Sequence, residues 1–268
     1  MSLISTSFEE LQRREALAFA RFATVVSEVS DNARVGDGDW TVAQVAAHVL
    51  TVFRRYTERD LTSAEGLSLT MSGVDEQNRV ELAAEAHRSL AEVLEELRHQ
   101  QALMQDLKLD AEATYPFHFG GRIDAFGGWG NMLGELLMHG YDVARTGGRP
   151  WPIEPRDALL VLNANFQIMP GVVSTETTQD MEASFEFRVK GARPHTLLVN
   201  HGSARVVDSS QAGAPPDVVL GGPAPAFLLN IYGRMSTPHA ALRGVLIRGG
   251  RRPWLGLKLA SIFDTPMG

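Results

Sequence analysis

Two histidines and one glutamate give this sequence its clearest capacity for chemistry. His48 closes the run Trp40-Thr41-Val42-Ala43-Gln44-Val45-Ala46-Ala47-His48, and Glu135 and His139 lie in Gly134-Glu135-Leu136-Leu137-Met138-His139-Gly140-Tyr141-Asp142. Glu135 and His139 are four positions apart, so on a helix they share one face. Two histidines with one carboxylate form a catalytic ligand set for zinc, with a fourth position left for water or substrate. Spacing alone also fits an exposed helix pair. Met132, Leu133, Leu136, Leu137 and Met138 argue otherwise, because an unpaired carboxylate among them is costly and a metal would satisfy it. His48 sits between Val45 and Val52 on the apolar side of its segment, where a hydrogen-bonded core histidine is the plain alternative. Asp142, three residues past His139, is spaced to hold a ligand imidazole from behind. An N–H contact or a surface charge at the helix end would serve it equally.

These residues need helices to carry them. Thr41 and Gln44 form a capping box, and Trp40 with Val45 fits a hydrophobic staple, so a helix is predicted from Thr41 to about Arg59. Apolar positions at helical spacing predict another from about Phe8 to Val29. The loop Ser30–Trp40 between them is rich in Asp, Asn and Gly. A long polar helix is predicted from about Asp75 to Leu107. The Gly- and aromatic-rich stretch Thr114–Gly128 reads as a loop. A fourth helix, roughly Trp129–Arg145, carries Glu135 and His139 and stops at Gly147-Gly148. Four such helices suggest a bundle, whose core commonly hosts metal sites.

Past Arg149–Pro155, a proline-rich stretch read as a linker, the period changes. A short helix is expected over Arg156–Ile168. Ala183–Lys190 alternates as a strand does, and Thr196–Val199, Ala204–Val207, Asp217–Leu220 and Gly244–Arg248 are further strand candidates. Ala224–Tyr232 and Trp254–Phe263 read as helices. The expected fold is therefore two domains: an all-α four-helix bundle over residues 1–152, then a smaller α+β domain over residues 153–268.

The chain of 268 residues suits that size, with 44% hydrophobic and 21% charged residues. A net charge of −7 argues against nucleic acid as a partner. No apolar run approaches a membrane span, and the first residues lack the pattern of a signal peptide, so a cytoplasmic location is expected. There is no cysteine. Thiol chemistry, if any, must use an external thiol.

The segments Asp39–Val49 and Gly134–Pro152 resemble the two signatures of the mycothiol-dependent maleylpyruvate isomerases, a family of DinB-like metal-binding four-helix bundles. The first signature is a Trp-Ser/Thr-Val start leading to a helix histidine, here Trp40-Thr41-Val42 leading to His48. The second is a Glu, three residues, then His-Gly-aromatic-Asp, here Glu135 and His139-Gly140-Tyr141-Asp142, followed by Thr146-Gly147-Gly148-Arg149-Pro150. The resemblance implies zinc, or another divalent metal, on His48, Glu135 and His139. Tyr141 stands where tryptophan is commoner, and one extra glycine extends Thr146–Arg149. The second half resembles the family's sterol-carrier-like domain, with Pro225–Arg234 similar to an apolar helix ending in Gly-Arg. By that resemblance Arg234 is the catalytic arginine, clamping a substrate carboxylate or balancing enolate charge; from its position alone, a helix-end cation is the alternative.

The implied chemistry is mycothiol-dependent. A thiolate adds to a small electrophile such as maleylpyruvate, the new single bond rotates, and the thiol leaves. Transfer of the thiol without isomerisation is the variant. Two other classes fit the residues: a carrier for a small apolar ligand with a structural metal, and a hydrolase activating water at the open site. His118, in Tyr115-Pro116-Phe117-His118-Phe119, lies either in a pocket wall or in local surface packing. His87, His99, His195, His201 and His239 read as surface. The electrophile, the native metal and the oligomeric state are not fixed by the sequence.

Overall fold

The computed structural model describes residues 2–36 and 38–264. Asp37 of the expected Ser30–Trp40 loop, Met1, and the last four residues of the expected second domain lie outside the described residues. The chain has a helical N-terminal part and a C-terminal sheet domain.

Helix α1 spans Phe8–Glu28 and α2 spans Val42–Thr57. The Thr41–Gln44 capping box is formed in both directions: Gln44 N–H donates to Thr41 Oγ1 at 3.3 Å, and Thr41 N–H donates to Gln44 Oε1 at 2.8 Å. The single long helix expected over Asp75–Leu107 is instead two, α3 at Met71–Glu85 and α4 at Leu90–Asp106. The break has a local cause. Ser89 and Glu92 form a second capping box, which starts a new helix where the apolar period alone continues the old one.

The expected loop Thr114–Gly128 holds a small antiparallel hairpin, β1 at Thr114–Pro116 and β2 at Arg122–Asp124. Asp124 then caps α5, Ala125–Thr146, accepting from Gly127 N–H at 2.7 Å. The ligand helix thus begins four residues before Trp129 and ends where expected, at Gly147.

Helix α6, Pro155–Ile168, packs on α5 and also faces the sheet domain. It is buried nearly all round, which suits a helix gripped from two sides. After the short α7, Thr175–Thr178, a five-stranded sheet runs in the order β5-β4-β3-β6-β7. Its strands are β3 Glu182–Lys190, β4 His195–Asn200, β5 Ser203–Asp208, β6 Val218–Pro223 and β7 Leu246–Gly249. Only β3 and β6 pair in parallel. Helix α8, Ala224–Ile231, leads from β6 and is followed by the unforeseen α9, Thr237–Leu242. The expected terminal helix is a 3-10 helix, Pro253–Ile262. Phe187 of β3 meets Phe166 of α6 and Phe227 of α8 edge to face, with centroids 5.1 and 6.0 Å away, so aromatic packing ties α6 to the sheet core.

Candidate metal centre and its cavity

α2 and α5 bring the three predicted ligands together. Glu135 Oε2 lies 3.3 Å from His139 Nε2 and 3.6 Å from His48 Nε2, and one ligand atom from each residue falls within 4.8 Å of the others. Donors about 2.0–2.1 Å from a tetrahedral zinc stand roughly 3.4 Å apart, so these separations fit the ion. Burial pushes the His48 imidazole below its ordinary range, against the pull of Glu135, so His48 is neutral and able to ligate. Burial acts to raise the Glu135 carboxyl, but hydrogen bonds with His139 and His48 outweigh it and hold it well below the ordinary range. His48 Nδ1 is buried without a protein partner.

Trp40 does more than staple the helix. Its ring lies 4.9 Å from the His48 ring and 6.4 Å from the His139 ring, centroid to centroid, so it packs against both histidines. Those two imidazoles are themselves 4.9 Å apart, edge to face. The ring that precedes the cap thus also fixes the ligand rotamers, a contact between distant segments that a local staple pattern does not reveal.

Asp142 behaves differently from the expectation that it holds a ligand imidazole. Its carboxylate receives Arg234, with Nη2 at 2.7 Å from Oδ2 and Nε at 3.2 Å from Oδ1. Arg234 Nη1 also donates to Tyr232 O at 2.7 Å. The local cause is Gly233. Its φ of 70° turns the chain left-handed after α8, and Arg234 N–H closes the turn on Leu229 O at 2.8 Å. The guanidinium therefore lies on α5 within a turn of His139, but its donors are already engaged.

A cavity of about 310 Å³ opens on His48 and Glu135. Tyr56 and Asn131 line it from the helical part, Asn165 and Tyr232 from α6 and the end of α8. Asn131 Nδ2 donates to the Tyr56 hydroxyl at 3.2 Å, and Tyr232 donates to Asn165 Oδ1 at 3.1 Å. Burial, with Glu135 adding to it, raises both phenols above their usual range, so they stay protonated. Asn165 Nδ2 is a buried donor without a protein partner. None of these four was singled out in the sequence; their neighbourhood is tertiary. His118 is in the cavity wall, where the pocket reading placed it.

The fold and site together define a class: a helical domain with a two-histidine, one-glutamate cluster, coupled to a sheet domain that lends residues to the same cavity. Residues 13–144 match the family model described as "Mycothiol maleylpyruvate isomerase N-terminal domain", so this segment is similar to that family's N-terminal domain. The crystal structure of the mycothiol-dependent maleylpyruvate isomerase superposes with a TM-score of 0.52 at 15% identity, covering 88% of this chain and 93% of that one. A histidine-to-alanine mutant of that isomerase gives 0.50 at 15% identity, with the same coverage. At such identity the likeness is one of fold. No curated protein matches the chain by sequence. Among the described residues no helix is long and apolar enough to cross a membrane.

Proposed function

We propose that this chain is a metal-dependent enzyme that uses a low-molecular-weight thiol, mycothiol, on a small electrophile, either isomerising it or transferring the thiol to it. The observation that carries the reading is the convergence of His48 Nε2, Glu135 Oε2 and His139 Nε2 at the end of a cavity, in a chain without cysteine. A divalent ion held there, zinc in the simplest case, would favour the thiolate of a coordinated thiol. Similarity to the family model supports the thiol, and the isomerase of similar fold supports an electrophile related to maleylpyruvate.

The chain's own groups then have distinct tasks. Trp40 holds both imidazoles in place. The Tyr56 hydroxyl, which accepts from Asn131, keeps its proton free to donate to an electrophile's oxygen as negative charge grows there. The thiolate sulfur forms a bond to one alkene carbon, and the electron pair moves to the conjugated carbonyl oxygen. After rotation the pair returns, the C–S bond breaks and the thiol is regenerated. Arg234, carried over as catalytic by resemblance, is already bound by Asp142. We assign it to positioning: it ties the Tyr232 turn to the ligand helix and balances charge beside the site.

On the same footing we read residues 1–152 as the bundle domain, DinB-like with α3 and α4 sharing one helix's place, and residues 153–268 as the sterol-carrier-like domain. Elemental analysis tests the centre. Protein purified without chelator should hold about one equivalent of divalent metal, and His48→Ala, Glu135→Ala and His139→Ala should each lose it. Full retention in all three variants rules the centre out.

A further inference from the structure

One face of α2 floors much of the cavity: His48, Val52, Arg55 and Tyr56 line it, and Arg59 lines it just past the helix end at Thr57. The nine positions from His48 to Thr57 advance on the order of 14 Å along the helix. The cavity is therefore elongated, with the three-ligand cluster at one end. Its wall is mainly apolar, with Val52, Leu61, Met71, Phe117 and Ile123 among the lining residues.

The far end is cationic. Arg55 is neutralised there, its Nη2 lying 2.6 Å from Glu81 Oε2 and 2.6 Å from Asn78 Oδ1. Arg59 is not: its one hydrogen bond among the described residues is to a neutral acceptor, the Glu65 carbonyl at 2.5 Å. Beside it stands His118. Ser68 N–H donates to His118 Nδ1 at 3.0 Å, so the neutral ring carries its proton on Nε2. Burial, then the charges of Arg55 and Arg59, push this imidazole down to about 4, so it enters the site as a neutral donor at physiological pH. The backbone is built to hold it. Phe119 adopts φ 62°, ψ 26°, a left-handed conformation disfavoured for this residue, and its N–H is fastened to Ser68 O at 2.7 Å.

We infer that the cavity takes an elongated, mainly apolar substrate with one terminal carboxylate, seated on Arg59 and the Nε2–H of His118, so that its other end lies at the three-ligand cluster. This deepens the proposed function, on which it rests: the physiological electrophile is an acyl-type acid longer than maleylpyruvate. A compact acid cannot span from Arg59 to His48. A long chain covers the apolar wall and leaves its charge where an uncommitted cation waits.

Calorimetric titration of the full metal-loaded chain with saturated acids tests the inference. Such acids have no alkene and no thiol, so their binding does not depend on whether thiol chemistry occurs. Decanoate should bind at least about tenfold more tightly than butanoate, and than methyl decanoate, which keeps the chain and loses the charge. Arg59→Ala, and Arg59→Gln as a variant that retains bulk, should each weaken decanoate by about tenfold while leaving methyl decanoate unchanged. If methyl decanoate binds as well as decanoate, or if the Arg59 variants bind decanoate like the parent, the inference falls. It also falls if decanoate affinity is lost on stripping the metal and insensitive to Arg59, because the acid is then inverted. If the predicted pattern holds but no thiol-dependent turnover is found, the binding site stands and the proposed reaction fails.

Discussion

Gly140 shows how a residue beside a ligand can be fixed by packing and not by chemistry. A Cβ at this position would fall within the ring of Trp151, which lies across α5 and donates Nε1–H to Leu137 O at 3.0 Å. Arg21 stacks over the same ring, 4.3 Å from its centroid. The His-Gly-aromatic-Asp signature therefore records, in its glycine, the passage of the chain after α5 back across the ligand helix. Gly140→Ala should cost roughly 1–3 kcal/mol of stability by overpacking. Chemical denaturation of the variant checks this, and an unchanged midpoint would show that Trp151 moves aside freely. The clustering of His48, Glu135 and His139 was legible, since an i, i+4 pair among apolar neighbours and a histidine on an apolar face both point inward. The partner of Asp142 was not legible, because it is 92 residues away and no local period announces a contact at that separation.

Among the elements, the clearest signals were those written within four residues. The Thr41–Gln44 box fixed the start of α2, and Gly147 fixed the end of α5. The α3–α4 break carries an equally local signal at Ser89 and Glu92, obscured by an apolar pattern that runs on in phase. The β1–β2 hairpin lacks the alternation of longer strands, and its three-residue arms left nothing periodic to detect. The α1–α4 seam was invisible for another reason: Glu15 looks like an ordinary helix-surface acid. In the fold it is fully buried, accepting from Gln101 Nε2 at 3.1 Å and from Gln105, while its Oε1 has no protein partner. Burial outweighs the two amide bonds and pushes its carboxyl up to about 7. An acid raised on folding stabilises most below its unfolded value, about 4.5, and loses that contribution as pH rises through about 7. Stability should thus fall by on the order of 3 kcal/mol across that window from this group. Unfolding curves of the parent and Glu15→Gln at both ends of the window should diverge in that sense. Parallel pH profiles would show that Glu15 is solvated.

The whole molecule works as a site shared between its two parts. Tyr232 and Asn165 reach the cavity from the sheet side, and the Arg234–Asp142 pair fastens that side to α5. The change of period near Arg149–Pro155 announced two units, but which residues of the second would reach the first depended on α6 being gripped between them. If Arg234 positions Tyr232, Arg234→Ala should keep its metal and lower kcat more than it raises KM. Arg234→Lys should recover little, because an ammonium cannot reproduce the forked pairing with Asp142. Equal kcat in parent and alanine variant, measured with metal content verified, would remove Arg234 from the reaction. The proposed chemistry depends on a thiol that the chain, without cysteine, does not itself possess. Its most direct test is the turnover of maleylpyruvate, and of a long-chain unsaturated oxo acid, by metal-loaded protein with and without mycothiol. Turnover of at least one of them is expected only when mycothiol is present, and none with His48→Ala. An equal rate without the thiol would contradict that dependence and point to water as the nucleophile.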